Sequence, residues 1–209
     1  YKYASQILES DNPLDGSINT FTNTATGTAT VSQADATAYE IVAGGSNGDD
    51  GLITAPDFAG LGTNLLYSDT AYLLFHATVA ISATTNCYFS WGFGTNNGIA
   101  RTESDTNVGV YFAANTSGEL YACQSGGSTN ENTQITGITL SAVNTYRIEV
   151  DQTGNTSRFY VNDTLEATLS DAADMPDSGT SIAGQMGVFT TGSGTGTMTV
   201  WSPAGWHVG

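Results

Sequence analysis

Chemistry in this chain would have to come from few residues. Its two histidines, His76 and His207, have no cysteine, histidine or carboxylate at the spacing that holds a metal. Two carboxylate clusters, Asp49-Asp50 and Asp171 with Asp174 and Asp177, could offer loop oxygens to calcium. They lack EF-hand spacing and read as solvated loop acids. Neither a Gly-x-Ser-x-Gly elbow nor a phosphate-cradling glycine loop occurs. Glu149 and Asp151 share one face of a predicted strand, where they read as solvated charges paired across a hairpin with Arg158. What remains is aromatic. Phe89, Trp91 and Phe93 share a face with Cys87 and are expected in the core. Tyr88, Tyr111 and Tyr121 are the candidate ligand-binding residues, because sugar rings stack on exposed aromatics. No catalytic residue, metal ligand or cofactor site is expected.

The elements that position these residues are strands. Thr, Ser, Asn and 25 glycines dominate the composition, and no stretch of a dozen residues has helical apolar spacing. Short helical turns are expected only around Ala55 to Leu61 and Ser170 to Met175. Alternation is clear in Tyr72 to Ile81, in Cys87 to Phe93, at Val108, Val110 and Phe112, and at Tyr146, Ile148 and Val150. Ile182 to Thr190 and Thr195 to Trp201 read as a closing pair. Turn residues at Asn115 to Gly118, Asp151 to Asn155 and Thr191 to Gly194 read as hairpin loops. About a dozen short strands at regular spacing predict an all-β fold, a two-sheet antiparallel β-sandwich. Residues 1–18 read as an N-terminal arm or edge segment whose Tyr1, Tyr3, Ile7 and Leu8 would anchor a partner. Residues 19–209 read as one sandwich domain, since no linker divides them.

Charge narrows the partners. The chain has 20 acidic residues but only four basic ones, Lys2, Arg101, Arg147 and Arg158, for a net charge of −16. Four scattered bases are too few to displace counterions from nucleic acid, and an anionic membrane surface repels such a chain. No apolar run approaches the ~20 residues of a membrane helix. Mutual repulsion keeps copies soluble at high local concentration. Cys87 and Cys123 read as small buried thiols, with a bridge possible if their strands are neighbours.

The stretch from Asn144 to Ala167, NTYRIEVDQTGNTSRFYVNDTLEA, resembles a hairpin of the concanavalin A-like lectin/glucanase superfamily, including laminin-G-type modules. Gly184 to Phe189, Met198 to Trp201, Phe89 to Gly94 and Gly109 to Phe112 are similar in kind to other strands of that fold. The resemblance covers residues 70–201 and implies a concanavalin A-like jelly roll. Laminarinase-type hydrolases of the superfamily carry Glu-x-Asp-x-x-Glu on one strand. In this chain Glu149-Val150-Asp151 is followed by Gly154 where the second catalytic carboxylate would stand, so a retaining mechanism is one carboxylate short.

In style the chain also resembles surface proteins of tailed bacteriophages. That likeness implies a non-catalytic virion surface protein, a capsid decoration or a head- or tail-fibre module, at the virion surface or outside cells. Its expected partners are capsid or fibre proteins, cell-surface glycans and further copies of itself in a homo-oligomer. The alternatives are a carbohydrate-binding module or lectin and, after it, a glycan hydrolase with an atypical site.

Overall fold

The computed structural model describes residues 22–35, 38–54, 65–66, 72–95, 102–151, 153–176 and 180–208. In chain order the strands are β1 (Thr22–Ala25), β2 (Thr30–Asp35), β3 (Ala38–Val42), β4 (Gly51–Thr54), β5 (Leu65–Leu66), β6 (Tyr72–Ile81), β7 (Cys87–Gly94), β8 (Gly109–Ala114), β9 (Leu120–Ser125), β10 (Asn130–Ile135), β11 (Asn144–Asp151), β12 (Thr156–Val161), β13 (Thr164–Leu169), β14 (Ser181–Thr190) and β15 (Thr197–Val208). Eight form one sheet in the order β1-β4-β14-β7-β8-β9-β10, with β5 also on β14. Seven form the other, β13-β12-β11-β6-β15-β3-β2. The pairings are antiparallel, and the two sheets face each other as a sandwich.

Alternation decides the packing. Phe89, Trp91, Phe93 and Phe112 point inward from the eight-stranded sheet, and Phe75, Tyr146, Ile148 and Phe159 from the other. All are buried, with relative exposures of 0 to 2%. The Tyr146 ring meets Trp91 edge-on at 4.9 Å and Phe112 at 5.1 Å between centroids, and Phe112 meets Phe159 at 5.2 Å. Each such ring contributes roughly 1.5–3 kcal/mol through burial and about 0.5–1.5 kcal/mol more through edge-to-face contact. One polar link crosses the same core. The Ser157 hydroxyl on β12 donates to Gln124 Oε1 on β9 at 2.7 Å, and Gln124 Nε2 donates to the Asp171 carbonyl at 3.0 Å.

Two expectations change, and the reading of the cysteines as buried thiols holds. β14 and β15 do not pair with each other. The chain steps from one sheet to the other through Thr191 to Gly196, since Thr191 N donates to the Asn86 carbonyl and the Gly196 carbonyl accepts from Ala43 N. A glycine-rich link serves a hairpin and a sheet-to-sheet step equally, and alternation does not say which sheet a strand joins. At Ser170 to Met175 the chain forms a hydrogen-bonded turn, Asp174 N to the Asp171 carbonyl at 3.1 Å, in place of a helical turn. Ala55 to Leu61 lies outside the described residues. Cys87 and Cys123 are free and buried. Cys87 joins the central core while Cys123 sits in a small cluster with Tyr111 and Ala113. They lie on opposite faces of the eight-stranded sheet, which rules out a bridge between them.

β1 to β4 complete both sheets, β4 through β14 and β3 through β15. Asp49 holds their connections. It is buried, and its Oδ2 accepts from the Thr28 hydroxyl at 2.7 Å and from Ser46 N at 3.2 Å. Its backbone carbonyl accepts from the Thr190 hydroxyl at 2.7 Å. The reading of Asp49 as a solvated loop acid is therefore corrected: it staples three segments.

Candidate functional site

The outward face of the eight-stranded sheet carries the expected tyrosines, and the register orders them. Ser90 lies opposite Ala113, Ala113 opposite Tyr121, and Tyr121 opposite Gln134. The adjacent row runs Gly92, Tyr111, Cys123, Asn132. Tyr88, one step further along β7, is opposite Phe189 of β14.

These three tyrosines have different surroundings. Tyr111 is fully buried. Its hydroxyl reaches the Thr102 carbonyl at 3.3 Å and the Asp105 carbonyl at 3.5 Å, and Asn130 Nδ2 donates to the same oxygen at 3.4 Å. The turn at Thr102 to Asn107 folds over it, so its ring has no open face for a ligand. Burial pushes the Tyr111 phenol well above its ordinary range, reinforced by the charge of Asp105. Tyr88 is half-buried and stands apart from the other two. Tyr121 is half-buried at the rim of the face, among groups that can read a polyhydroxyl ligand.

The β8–β9 hairpin builds that rim. Asn115 Oδ1 accepts from Ser117 N and Glu119 N, both at 3.0 Å. Gly118 takes φ +80°, a left-handed conformation that glycine adopts without strain. The turn presents Glu119, whose Oε2 accepts from Asn115 Nδ2 at 2.8 Å and from the Tyr121 hydroxyl at 3.1 Å, while Oε1 accepts from Gln134 Nε2 at 3.2 Å. These bonds, that from Asn115 first, hold the Glu119 carboxyl below its ordinary range against the opposing effect of burial. β10 adds a row of amides, with Asn132 Nδ2 donating to Asn130 Oδ1 at 2.9 Å. The result is one ring, one ionised carboxylate and a set of amides on a fixed frame. On the same face Ser90 Oγ and Gln185 Oε1 are buried without a hydrogen-bond partner. Buried polar atoms of this kind call for a water or a ligand group.

Glu119, Gln134 and Asn132 were not singled out in the sequence. Glu119 carries a usable signal, two residues before Tyr121 and in phase with it. Gln134 has none until the register of β10 is known. Tyr1, Tyr3, Ile7 and Leu8 lie outside the described residues. Among the described residues no group of three His, Cys, Asp or Glu side chains is arranged to hold a metal. Glu149 is on the outward face of the other sheet, and its ion pair is with Arg147 along its own strand, not with Arg158 across the hairpin. Gly154 lies in the β11–β12 turn, where a side chain would approach within 2.9 Å of Asp151 Oδ2.

No protein-family model matches the chain, and no curated protein matches it. Solved structures do match. One is the carbohydrate recognition domain of Emp46p in its potassium-bound form, 9% identical, TM-score 0.62, covering 92% of this chain and 94% of that one. Another is arcelin-5, a lectin-like defence protein of Phaseolus vulgaris, 12% identical, TM-score 0.58, covering 90% and 91%. A third comes from work on endo-acting O-glycanases of human gut microbiota that initiate mucin breakdown, 11% identical, TM-score 0.63, covering 97% and 99%. At such identities the likeness fixes the fold: an all-β, concanavalin A-like jelly-roll sandwich.

Proposed function

We propose that this protein is a non-catalytic glycan-binding module that uses the outward face of its eight-stranded sheet. The observation that carries the reading is the grouping of Tyr121, Glu119, Gln134 and Asn132 on one rigid rim. A half-exposed ring takes the apolar face of a sugar, and the carboxylate and amides pair with its hydroxyls. Two observations favour binding over cleavage. A glycosidase acid needs a carboxyl raised toward neutral pH, whereas that of Glu119 is lowered. Glu149 and Asp151 have Gly154 in the place of a further carboxylate. The fold shared with a carbohydrate recognition domain and a lectin-like protein adds support.

A glycan array tests this. A reproducible hit on a neutral glycan should disappear in Tyr121→Ala and persist in Tyr88→Ala. Absence of any hit across neutral and acidic glycans would refute the reading, as would release of reducing sugar from a bound glycan.

Charge favours a second reading of where the module works. With four basic residues and a net charge of −16, crowded copies repel one another. That suits display on a virion surface, held by capsid or fibre proteins. Co-purification with particles supports it, and recovery solely as free soluble protein counts against it.

A further inference from the structure

Two of the four basic residues in this acidic chain stand side by side on the outward face of the seven-stranded sheet, away from the rim described above. The β11–β12 register sets Arg147 opposite Tyr160 and Glu149 opposite Arg158. Pairing does not follow the register. Glu149 Oε1 takes Arg147 and Glu149 Oε2 accepts from the Tyr160 hydroxyl at 3.0 Å. The Arg147 guanidinium also lies 3.8 Å from the centre of the Tyr160 ring. Arg147 and Glu149 form an ion pair. Arg158 has no carboxylate partner among the described residues, in a protein with 20 acidic side chains, while Glu149, which faces it across the hairpin, is held by two other groups.

The surroundings of Arg158 are specific. Thr168 faces it from β13, and Leu165 faces Tyr160. Leu165 is 49% exposed, one of two large apolar side chains so open among the described residues. A guanidinium fork, an adjacent hydroxyl, an exposed aliphatic side chain and a flat Arg–Tyr stack lie on neighbouring strands. We infer that Arg158 anchors a second ligand site, for a saccharide that carries a single carboxylate, such as a uronic acid unit. The guanidinium takes the carboxylate in a two-pronged, charge-assisted contact. Leu165 and the Arg147–Tyr160 stack supply apolar surface for the ring, and Thr168 meets a hydroxyl. Glu149 and Asp151 on the same face, with the net charge of −16, oppose a polyanion, so the charge recognised is an isolated one. The site is independent of the proposed rim around Tyr121.

The test is a titration of the full chain with glucuronate, glucose and acetate, followed by NMR at the arginine Nε–H and leucine methyl signals. Glucuronate should shift Arg158 and Leu165 saturably, and more tightly than either glucose or acetate. Arg158→Gln should weaken glucuronate binding on the order of tenfold, with its spectrum elsewhere unchanged. Arg158→Lys should recover part of the loss, Leu165→Asp should abolish binding, and added salt should weaken it. Tyr121→Ala should leave glucuronate binding intact. No saturable shift at Arg158, equal binding of acetate, or unchanged affinity in Arg158→Gln would overturn the proposal. Loss of glucuronate binding in Tyr121→Ala would place the sugar on the other sheet and overturn it equally.

Discussion

Tyr111 and Tyr121 belong to the same outward face, one row apart, yet removal of their rings should have opposite consequences. Tyr111 is fully buried against Ala113 and Cys123 beneath the Thr102–Asn107 turn, so Tyr111→Ala opens a cavity. Deleting a buried ring costs about 3–5 kcal/mol. The Thr102 and Asp105 carbonyls also lose their hydroxyl donor, although a cavity of that size admits water to them. Tyr121 is half-exposed, and its loss should cost about 1 kcal/mol or less. With a urea m-value of roughly 2–3 kcal/mol/M, the first change lowers the unfolding midpoint by about 1–2.5 M and the second by about 0.5 M or less. Tyr111→Phe keeps the ring and removes the hydroxyl, which should cost about 1 kcal/mol. Urea unfolding followed by tryptophan fluorescence reads all three. Glycan binding should run the other way, lost in Tyr121→Ala and retained in Tyr111→Phe. If Tyr111→Ala left stability within about 1 kcal/mol of wild type while abolishing glycan binding, the assignment of Tyr111 to packing would be wrong.

Further outcomes follow from the core and the loops. The carboxyl of Asp49 lies below its ordinary value of 3.8, chiefly through the Thr28 hydroxyl. Its contribution to stability is therefore complete above about pH 4 and lost as pH falls through the lower folded value; Asp49→Asn should flatten the acid limb of a pH–stability curve, and an unchanged limb would refute the staple. Gly27 has φ +60°, and an added Cβ would lie 1.7 Å from Asp49 Oδ1. Gly27→Ala should therefore cost more than the ~1–2 kcal/mol of a left-handed backbone alone, and a thermal scan showing no loss would contradict this. Ser157→Ala leaves Gln124 Oε1 unpaired in the core and should cost about 1–3 kcal/mol. In a double-mutant cycle with Gln124→Leu the coupling should be about 1 kcal/mol or more, whereas additivity within ~0.3–0.5 kcal/mol would mean the bond is not formed.

Alternation made much of this fold legible. Tyr72 to Ile81 and Cys87 to Phe93 declare their inward faces because a half-buried strand must separate apolar from polar residues with period two. The same rule put Tyr111 on the outward face, correctly, but an outward face is open only if nothing folds over it. The turn at Thr102 to Asn107 has no periodic signature, and its contacts with Tyr111 and Asn130 depend on backbone carbonyls, which every residue has. Asp49 shows a related limit: its partner Thr28 lies 21 residues away in a loop whose path depends on how two sheets close. The pairing of Glu149 was misjudged for a different reason. Register favours Arg158, but the Tyr160 ring gives the Arg147 guanidinium a surface to lie on, and that settles the choice.

The places of β14 and β15 bear on how the protein is made. They are formed by residues 181–190 and 197–208 and occupy interior positions, β14 between β4 and β7 and β15 between β3 and β6. β1 to β4 reach the rest of their sheets only through these two strands. During synthesis the first four strands therefore emerge long before the partners they need, whereas β7 to β10 can pair in one sheet, and β6 with β11 to β13 in the other, without β14 or β15. Pairing across such sequence separation makes folding slow. Until β14 and β15 arrive, the edges of β4 and β3 are unpaired templates for other chains, so β14 and β15 decide whether β1 to β4 fold or aggregate.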